Sequence, residues 1–498
     1  MNLSRNLENA AIFFPERIAL IDGDREVSYR EFNEESNRIA TGLMAEGVGP
    51  GDHIAICRAN GYRWISFYFG ILKAGAVAVC LSPLLKRHEL VRILDSARPR
   101  ILYASPEVME EAGDLDLPYL GQVIAEGEEM SYETVREKGS SSFRAVEADR
   151  HDTCTILYTG GTTGSPKGVM LTHENIMTSA HNVAYCERST PGDRAICFLP
   201  LSHVFGLVHI TNAIVYSGGS LVIQPSFDLE KVIYAIKNHG ITKFFGVPTI
   251  YVRLLSLDNL KEKISSLRYC FSAAASMAAG LVKEWKEWTG LDIHEAYGLT
   301  ESASIVTYNH YYRHLVGSVG SPVNTVEVRI MDPDGNDVGQ GEEGEICIRG
   351  PNIMKGYLGM AEETRTAFRG EWFRSGDIGL VDDNGYLFMV DRIKEIIITG
   401  GENVYPSEIE EILYSREEVE ECAVIGLPDR EYGERVTAFI IVREGYTLNP
   451  EELRKGLKEK LSPSKVPKEF ISVPDLPRSG AGKILKRELK KMVLKKPD

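Results

Sequence analysis

Residues 158–168 read YTGGTTGSPKG, a stretch that packs glycines, three threonines (Thr159, Thr162, Thr163), Ser165 and Lys167 into eleven positions. It follows a strand-like run, Thr155–Thr159, and precedes a helix expected to begin near Thr172. Backbone N–H groups freed by glycine, threonine hydroxyls and one lysine form a concave donor surface suited to phosphate oxygens. The spacing excludes two common phosphate loops. A Walker A loop needs G-x-x-x-x-G-K-[ST], whereas Lys167 here follows Pro166 and precedes Gly168. The dinucleotide pattern G-x-G-x-x-G is also missing. A plain surface turn would explain the glycines, but not the Thr-Thr pair and the Pro-Lys-Gly that accompany them.

Outward from this loop, strand-like and helical patterns alternate. Ser28-Tyr29-Arg30-Glu31 is a capping-box signature, and Phe32, Ser36, Ile39 and Leu43 then share one helical face. Short apolar runs at His53–Arg58, Ala76–Leu81, Arg100–Ala104, Ala195–Leu199, Ser220–Gln224, Lys243–Val247 and Arg268–Ser272 read as strands between helices. That rhythm implies an α/β fold with largely parallel sheets. From about Gly317 the pattern changes to short strands joined by turns (Val326–Met331, Gly344–Arg349, Gly385–Val390), a β-rich subdomain over about 317–391. After Asp391-Arg392-Ile393-Lys394 it resets. Pro406–Tyr414 and Pro450–Leu461 read as helices, Glu421–Leu427 and Val436–Val442 as strands. The expectation is a large domain over 1–392 and a small α+β domain over 393–498, hinged near Lys394.

The chain has 498 residues, 43% hydrophobic and 26% charged, and carries 56 Lys+Arg against 71 Asp+Glu for a net charge of −15. That length calls for more than one domain, and that charge argues against a nucleic-acid binder with a broad basic face. The seven Lys/Arg from Lys483 to Lys496 read as a solvated helix face. Eight scattered cysteines without a CxxC pair read as buried thiols in a reducing compartment. No signal peptide is evident. Leu207–Gln224, broken by Ser217-Gly218-Gly219, reads as two buried elements and not as a membrane span. The expectation is a cytoplasmic protein with no integral membrane segment; a homodimer is the working assumption.

YTGGTTGSPKG resembles the signature loop of the adenylate-forming enzymes, which include acyl- and aryl-CoA ligases, luciferases and peptide-synthetase adenylation domains. Gly160 stands where that family often has serine. Further segments resemble the family's motifs in the family's order. LPLSHVFG (199–206) is similar to the segment whose histidine lines the carboxylate site, which implicates His203. SAAASM (272–277) is similar to the adenine wall, with Ala274 and Ala275 facing the purine. EAYGLTES (295–302) resembles the motif that implies Glu295, Ala296, Tyr297 and Gly298 around adenine, Thr300 at the α-phosphate and Glu301 on Mg²⁺. WFRSGDIG (372–379) implies Asp377 on the ribose hydroxyls. DRIKEIIITGGENVYPSEIE (391–410) implies Arg392 on the ribose, Lys394 as pivot, and Gly400 and Gly401 beside the coenzyme A arm. PRSGAGKILKREL (477–489) supplies the C-terminal Lys483, in a pattern that acetyltransferases modify in some relatives.

The resemblance covers essentially the whole chain and implies an AMP-forming acid–CoA ligase. ATP and a carboxylic acid give acyl-AMP and pyrophosphate; coenzyme A then gives acyl-CoA and AMP. Attack of one anion on another needs preorganised positive potential, here Mg²⁺ at Glu301, the loop donors Thr159, Gly161, Thr162, Thr163, Gly164 and Lys167, and Lys483. In acetate-specific relatives a tryptophan occupies the place of Gly298, so a glycine there is expected to open the acyl pocket. With Phe205, Leu207, Phe245, Gly246, Val247 and His203 it suggests an apolar lining and a medium- or long-chain fatty acid. Aryl or alicyclic acids, transfer to a carrier protein, and luciferase-like oxidation are the alternatives. A non-catalytic nucleotide sensor would have no use for Lys483.

Overall fold

The computed structural model describes residues 1–126, 130–159, 166–273, 277–393, 395–399, 402–429, 432–478 and 484–494. Two seven-stranded sheets dominate the first part of the chain. One runs in the order Ile293–Glu295, Tyr269–Ser272, Lys243–Gly246, Arg194–Cys197, Ser220–Ile223, Ile18–Asp22 and Arg25–Ser28, parallel except for the last pair. The other places Thr153–Thr159, Val77–Leu81, His53–Cys57, Ile101–Ala104 and Gln122–Ile124 side by side in parallel. These strands are short and apolar on both faces, as helix-covered parallel strands must be. The Ser28 cap forms as expected: its hydroxyl accepts from the Glu31 N–H at 3.2 Å, and Glu31 accepts from the Ser28 N–H at 2.8 Å. Phe32, Ser36, Ile39 and Leu43 are all fully buried.

The phosphate-loop sequence exits into a strand, Lys167–Thr172, and the helix His173–Cys186 starts only afterwards. This strand pairs antiparallel with Thr153–Thr159, with Thr159 opposite Lys167. The run KGVMLT shows no alternation, with Gly168, Val169, Leu171 and Thr172 all buried, and it is only six residues long, so its strand character was hidden. The loop therefore closes a hairpin, and no helix N-terminus follows it directly. Thr172 caps the helix, accepting from the Asn175 N–H, and the Asn175 amide donates to the carbonyls of Pro351 and Ile353 at 2.8 Å each. That bond holds the 351–358 segment beside the hairpin, where Gly356–Tyr357 adds an antiparallel edge.

Leu207–Gln224 divides as expected into buried elements. Phe205–Asn212 is a π-helix that runs into Ala213–Ser217 before the strand Ser220–Ile223. Thr211 and Asn212 donate side-chain hydrogen bonds to the carbonyls of Gly206 and Leu207, five residues back, at 2.8 Å. A Cβ at Gly206 would lie 2.4 Å from the Pro200 carbonyl, so only glycine fits.

Residues 327–392 form a five-stranded antiparallel sheet. Residues 397–472 form another, in which Glu469–Ser472 is the parallel edge. The main apolar core runs from Leu3 to Leu387, and separate cores begin at Ile397. The Asp391 carboxylate crosses this boundary, accepting from the Ser407 N–H and hydroxyl at 3.1 Å. All eight cysteines are free and buried, and burial pushes the thiols of Cys57, Cys154 and Cys197 up to about 12. Among the described residues no helix is long and apolar enough to cross a membrane.

Candidate active site

The β-rich sheet delivers the first cluster. Trp372–Val381 pairs with Leu387–Arg392 so that Asp377 lies opposite Arg392. Gly376, at φ +73°, turns the chain, and the Ser375 hydroxyl accepts from the Asp377 N–H at 3.0 Å. Asp377 is 2% exposed, yet it is fully engaged: the Tyr297 hydroxyl donates to Oδ2 at 2.7 Å and Arg392 Nε to Oδ1 at 3.0 Å. Burial raises the Tyr297 phenol far above its ordinary value, and the Asp377 charge adds to the effect, so Tyr297 stays a donor. Tyr297, Asp377 and Arg392, spread over separate motifs, thus meet at one point. Each carboxylate oxygen keeps a second lone pair.

Thr300–Ser302 forms a single 3₁₀ turn that sets Thr300 and Glu301 side by side. The Asn352 amide donates to the carbonyls of Ser302 and Ile305, and the Met354 N–H to that of Glu301, which fixes the turn. The Tyr357 hydroxyl donates to Glu301 Oε1 at 2.9 Å, and Lys167 Nζ sits 4.7 Å from the Tyr357 ring centroid. Tyr357 thereby joins the lysine of the glycine loop to the expected metal ligand. Nothing in the sequence marked it, because it belongs to a two-residue edge strand nearly two hundred positions from the loop it pairs with. Burial raises the Glu301 carboxyl, against the opposing pull of the Tyr357 hydroxyl and the Arg392 charge. A half-buried carboxylate short of positive charge fits a hard cation whose other ligands are phosphate oxygens. Among the described residues no group of three or more His, Cys, Asp or Glu forms a metal site of its own.

Glu295 is buried, and its Oε2 has no hydrogen-bond partner. Burial raises its carboxyl to about 8, opposed by the Met277 N–H at the end of the adenine-wall segment. The fold keeps a proton on Glu295 that the unfolded chain releases near 4.5. This group's contribution to stability is therefore full below that pH and lost as pH rises toward 8. Glu295→Gln, neutral at every pH, is expected to raise Tm by a few degrees at pH 8 and by nothing at pH 4. Thermal scans across that range check it, and a gain independent of pH would contradict it.

The acyl side is built on the π-helix. The Phe205 N–H donates to His203 Nδ1 at 3.2 Å, which places the imidazole proton on Nε2. Phe205, Leu207, Phe245 and Val247 are buried, and Gly246 lies tightly between Tyr251 and Phe244. Gly298 lies close to a neighbouring backbone. Its backbone is exposed, but a Cβ there would fall 1.4 Å from the Ser304 carbonyl oxygen. In this structure the glycine permits close approach of the Ser304–Ile305 backbone. Thr159, Lys167 and Ala296 are half-buried at the margins of these clusters, and Thr300 is buried. Gly161, Thr162, Thr163, Gly164, Ala274, Ala275, Lys394, Gly400, Gly401 and Lys483 lie outside the described residues.

A buried polar chain behind the phenylalanines was not foreseen. His209 Nδ1 lies 3.1 Å from the Ser304 hydroxyl, and Nε2 lies 2.9 Å from Glu187 Oε1. Lys243 Nζ donates to Glu187 Oε2 at 3.1 Å, to the Glu187 carbonyl at 3.2 Å and to the Ser189 hydroxyl at 2.6 Å. Burial alone would raise the Glu187 carboxyl, but Lys243 and His209 outweigh it and hold it below its ordinary value.

Two profiles match the chain: AMP-binding enzyme over residues 7–358 and AMP-binding enzyme C-terminal domain over 408–483. The chain is 35% identical to a feruloyl-CoA synthase from an Amycolatopsis species, over 96% of both chains. It is 30% identical to a long-chain-fatty-acid–CoA ligase of Bacillus subtilis, covering 97% of this chain and 93% of that one. The anthranilate CoA ligase AuaEII, solved in complex with anthranoyl-AMP, superposes with a TM-score of 0.94 at 30% identity, over 99% and 97% of the two chains. The chain belongs to the AMP-binding, adenylate-forming enzyme family. Within that family it is an acid–thiol ligase of the AMP-forming CoA-ligase type.

Proposed function

We propose that this enzyme joins a carboxylic acid with an apolar body, larger than acetate, to coenzyme A through an acyl-adenylate. The observation that carries the reading is the convergence of Tyr297, Asp377 and Arg392 beside the Thr300–Glu301 turn. In this reading Asp377 and Arg392 hold the ribose, Tyr297 lies against adenine, and Thr300 donates to the α-phosphate. His203 orients the acid through Nε2–H. Glu301 would hold Mg²⁺, which when bound neutralises phosphate charge as it builds. Lys167 adds fixed positive potential, and Lys483 supplies the contact made only in the first step. The domain beyond Lys394 then turns, bringing Gly400 and Gly401 to the thiol's approach, a hinge closure between half-reactions. A small-molecule acid, ATP and coenzyme A are the proposed partners, in the cytoplasm.

The buried phenylalanines suit both a fatty chain and an aromatic ring, and relatives of both kinds occur. The Ser304–His209–Glu187 chain among them favours the aryl reading, because a plain alkyl chain has no group to meet it. Incubation with ATP, coenzyme A and a panel of acids, followed by quantitation of AMP and thioester, tests the proposal. Equal amounts of acyl-CoA and AMP are expected for at least one acid. Thioester formed only on a phosphopantetheine carrier protein would instead support the carrier alternative.

A further inference from the structure

The strands Ile18–Asp22, Ser220–Ile223 and Arg194–Cys197 lie side by side and parallel, so the segments that lead into them meet at one end of the sheet. Residues 199–203 leave from the other end. The leading segments, 13–17, 216–219 and 188–193, run on from one another through their side chains. The Phe13 and Phe14 rings lie 6.4 Å apart between centroids, and a Cβ at Gly218 would fall 2.6 Å from the Phe14 ring. Arg17 donates to the Pro191 carbonyl at 2.7 Å. The Tyr216 hydroxyl lies 2.9 Å from His181 Nδ1, and the His181 ring lies 6.4 Å from that of Tyr185. One turn further, the Arg188 guanidinium sits 4.8 Å and 5.2 Å from the ring centroids of Tyr311 and Tyr312.

This band faces solvent. Ile12, Phe13 and Tyr312 are each 72% exposed, Tyr185 55% and Tyr216 40%. Large side chains of this kind present about 150–250 Å² each, so these five leave roughly 600 Å² of mostly apolar surface, about the largest patch a typical monomer exposes. Between Asn175 and Cys186, and between Phe205 and Gln224, the chain has no Asp, Glu, Lys or Arg, so the centre of the band is uncharged. Its edges carry both signs, with exposed Glu16 and Arg17 at one end and Arg188 at the other. An anionic lipid surface or a nucleic acid would call for cations alone. An uncharged aromatic centre with a rim of mixed sign is complementary to itself. Two such areas together give roughly 1,200 Å², the lower bound of a specific interface before the rim is counted. We propose that this band is the two-fold face of a homodimer, in which the same residues of each copy meet those of the other. Because it lies at the end of the sheet opposite residues 199–203, the sites of both copies stay open and each works on its own.

Light scattering after size exclusion at micromolar concentration should give the wild type twice the chain mass. Phe13→Glu combined with Tyr185→Glu would set four like charges in the paired face. That variant should run at the mass of one chain, its association weakened about 100-fold or more, with kcat for coenzyme A-dependent AMP formation unchanged. Both side chains already lie in water, so thermal unfolding should move little. All eight native cysteines are buried, which makes an introduced surface thiol selective for a bismaleimide. Tyr216→Cys, at the middle of the band, is expected to give covalent dimers. Tyr234→Cys, exposed on the helix Leu229–His239, is expected to give none. A wild-type mass of one chain overturns the proposal, as does a dimer that survives the double substitution, or cross-linking at residue 234 and not at residue 216. Co-sedimentation of a monomeric wild type with anionic phospholipid vesicles would assign the band to a lipid surface instead.

Discussion

Lys483→Ala is expected to lower acid-dependent pyrophosphate release by roughly 100- to 1,000-fold while sparing thioester formation from supplied acyl-adenylate. The magnitude is that of losing one preorganised donor at a site where negative charge builds. The asymmetry follows from the chemistry. Only the first half-reaction brings a carboxylate against the α-phosphate of ATP; the second replaces an already good leaving group by a thiol. Lys394→Pro should give the opposite pattern, because a locked pivot leaves adenylation in place and obstructs the turn toward coenzyme A. Separate assays of pyrophosphate release and of thioester formation from synthetic acyl-adenylate read both variants. Equal loss in both steps for Lys483→Ala would remove the lysine from its assigned role, and equal loss for Lys394→Pro would argue against the hinge.

Asp377→Ala is expected to raise KM for ATP on the order of 100-fold, the worth of about two charge-assisted hydrogen bonds. Asp377 is buried between Tyr297 and Arg392. Its removal leaves the Tyr297 hydroxyl without its acceptor, at a cost of about 1–3 kcal/mol, and frees Arg392 to swing toward solvent, where half of its side chain already lies. The substitution therefore weakens nucleotide binding and loosens the ring expected to meet adenine. Asp377→Asn keeps the shape and one acceptor and should fall between the two. Steady-state kinetics with ATP and with acid as the varied substrate separate the effects, and thermal unfolding checks the fold. An unchanged KM for ATP would contradict the ribose assignment.

The elements legible in the sequence are those set by local patterns. The capping box at Ser28, the breaker at Ser217-Gly218-Gly219 and the separate helix and strand patterns of the small α+β part of the chain all concern residues a few positions apart. Glu301, Asp377 and Arg392 could be singled out because each sits in a stretch that resembles a motif of the family; the pairing of Asp377 with Arg392 was not visible locally. The remainder lay in contacts between distant residues. Lys243 and Glu187 are 56 residues apart, on a strand and at a helix end, and neither local sequence distinguishes them from surface charges. Tyr357 reaches Glu301 because its segment is tied beside the hairpin, by the Asn175 amide and by its own backbone pairing with Val169 and Met170. The π-helix at Phe205–Asn212 depends on Gly206 fitting against Pro200, and its mostly apolar sequence suits an α-helix or a strand equally well. The approach of the Ser304 backbone to Gly298 is another such distant contact, invisible in the sequence around either residue.

The most direct test is the fate of the substrate's own oxygen. An acid labelled with ¹⁸O in its carboxylate, turned over with ATP and coenzyme A, should deliver one labelled oxygen to the phosphate of AMP. The attacking carboxylate oxygen becomes the bridge of the adenylate and leaves with AMP when the thiol takes the acyl group. Mass spectrometry of AMP reads the result. Unlabelled AMP accompanied by acyl-CoA, or label recovered in inorganic phosphate with ADP as the nucleotide product, would contradict activation through an acyl-adenylate.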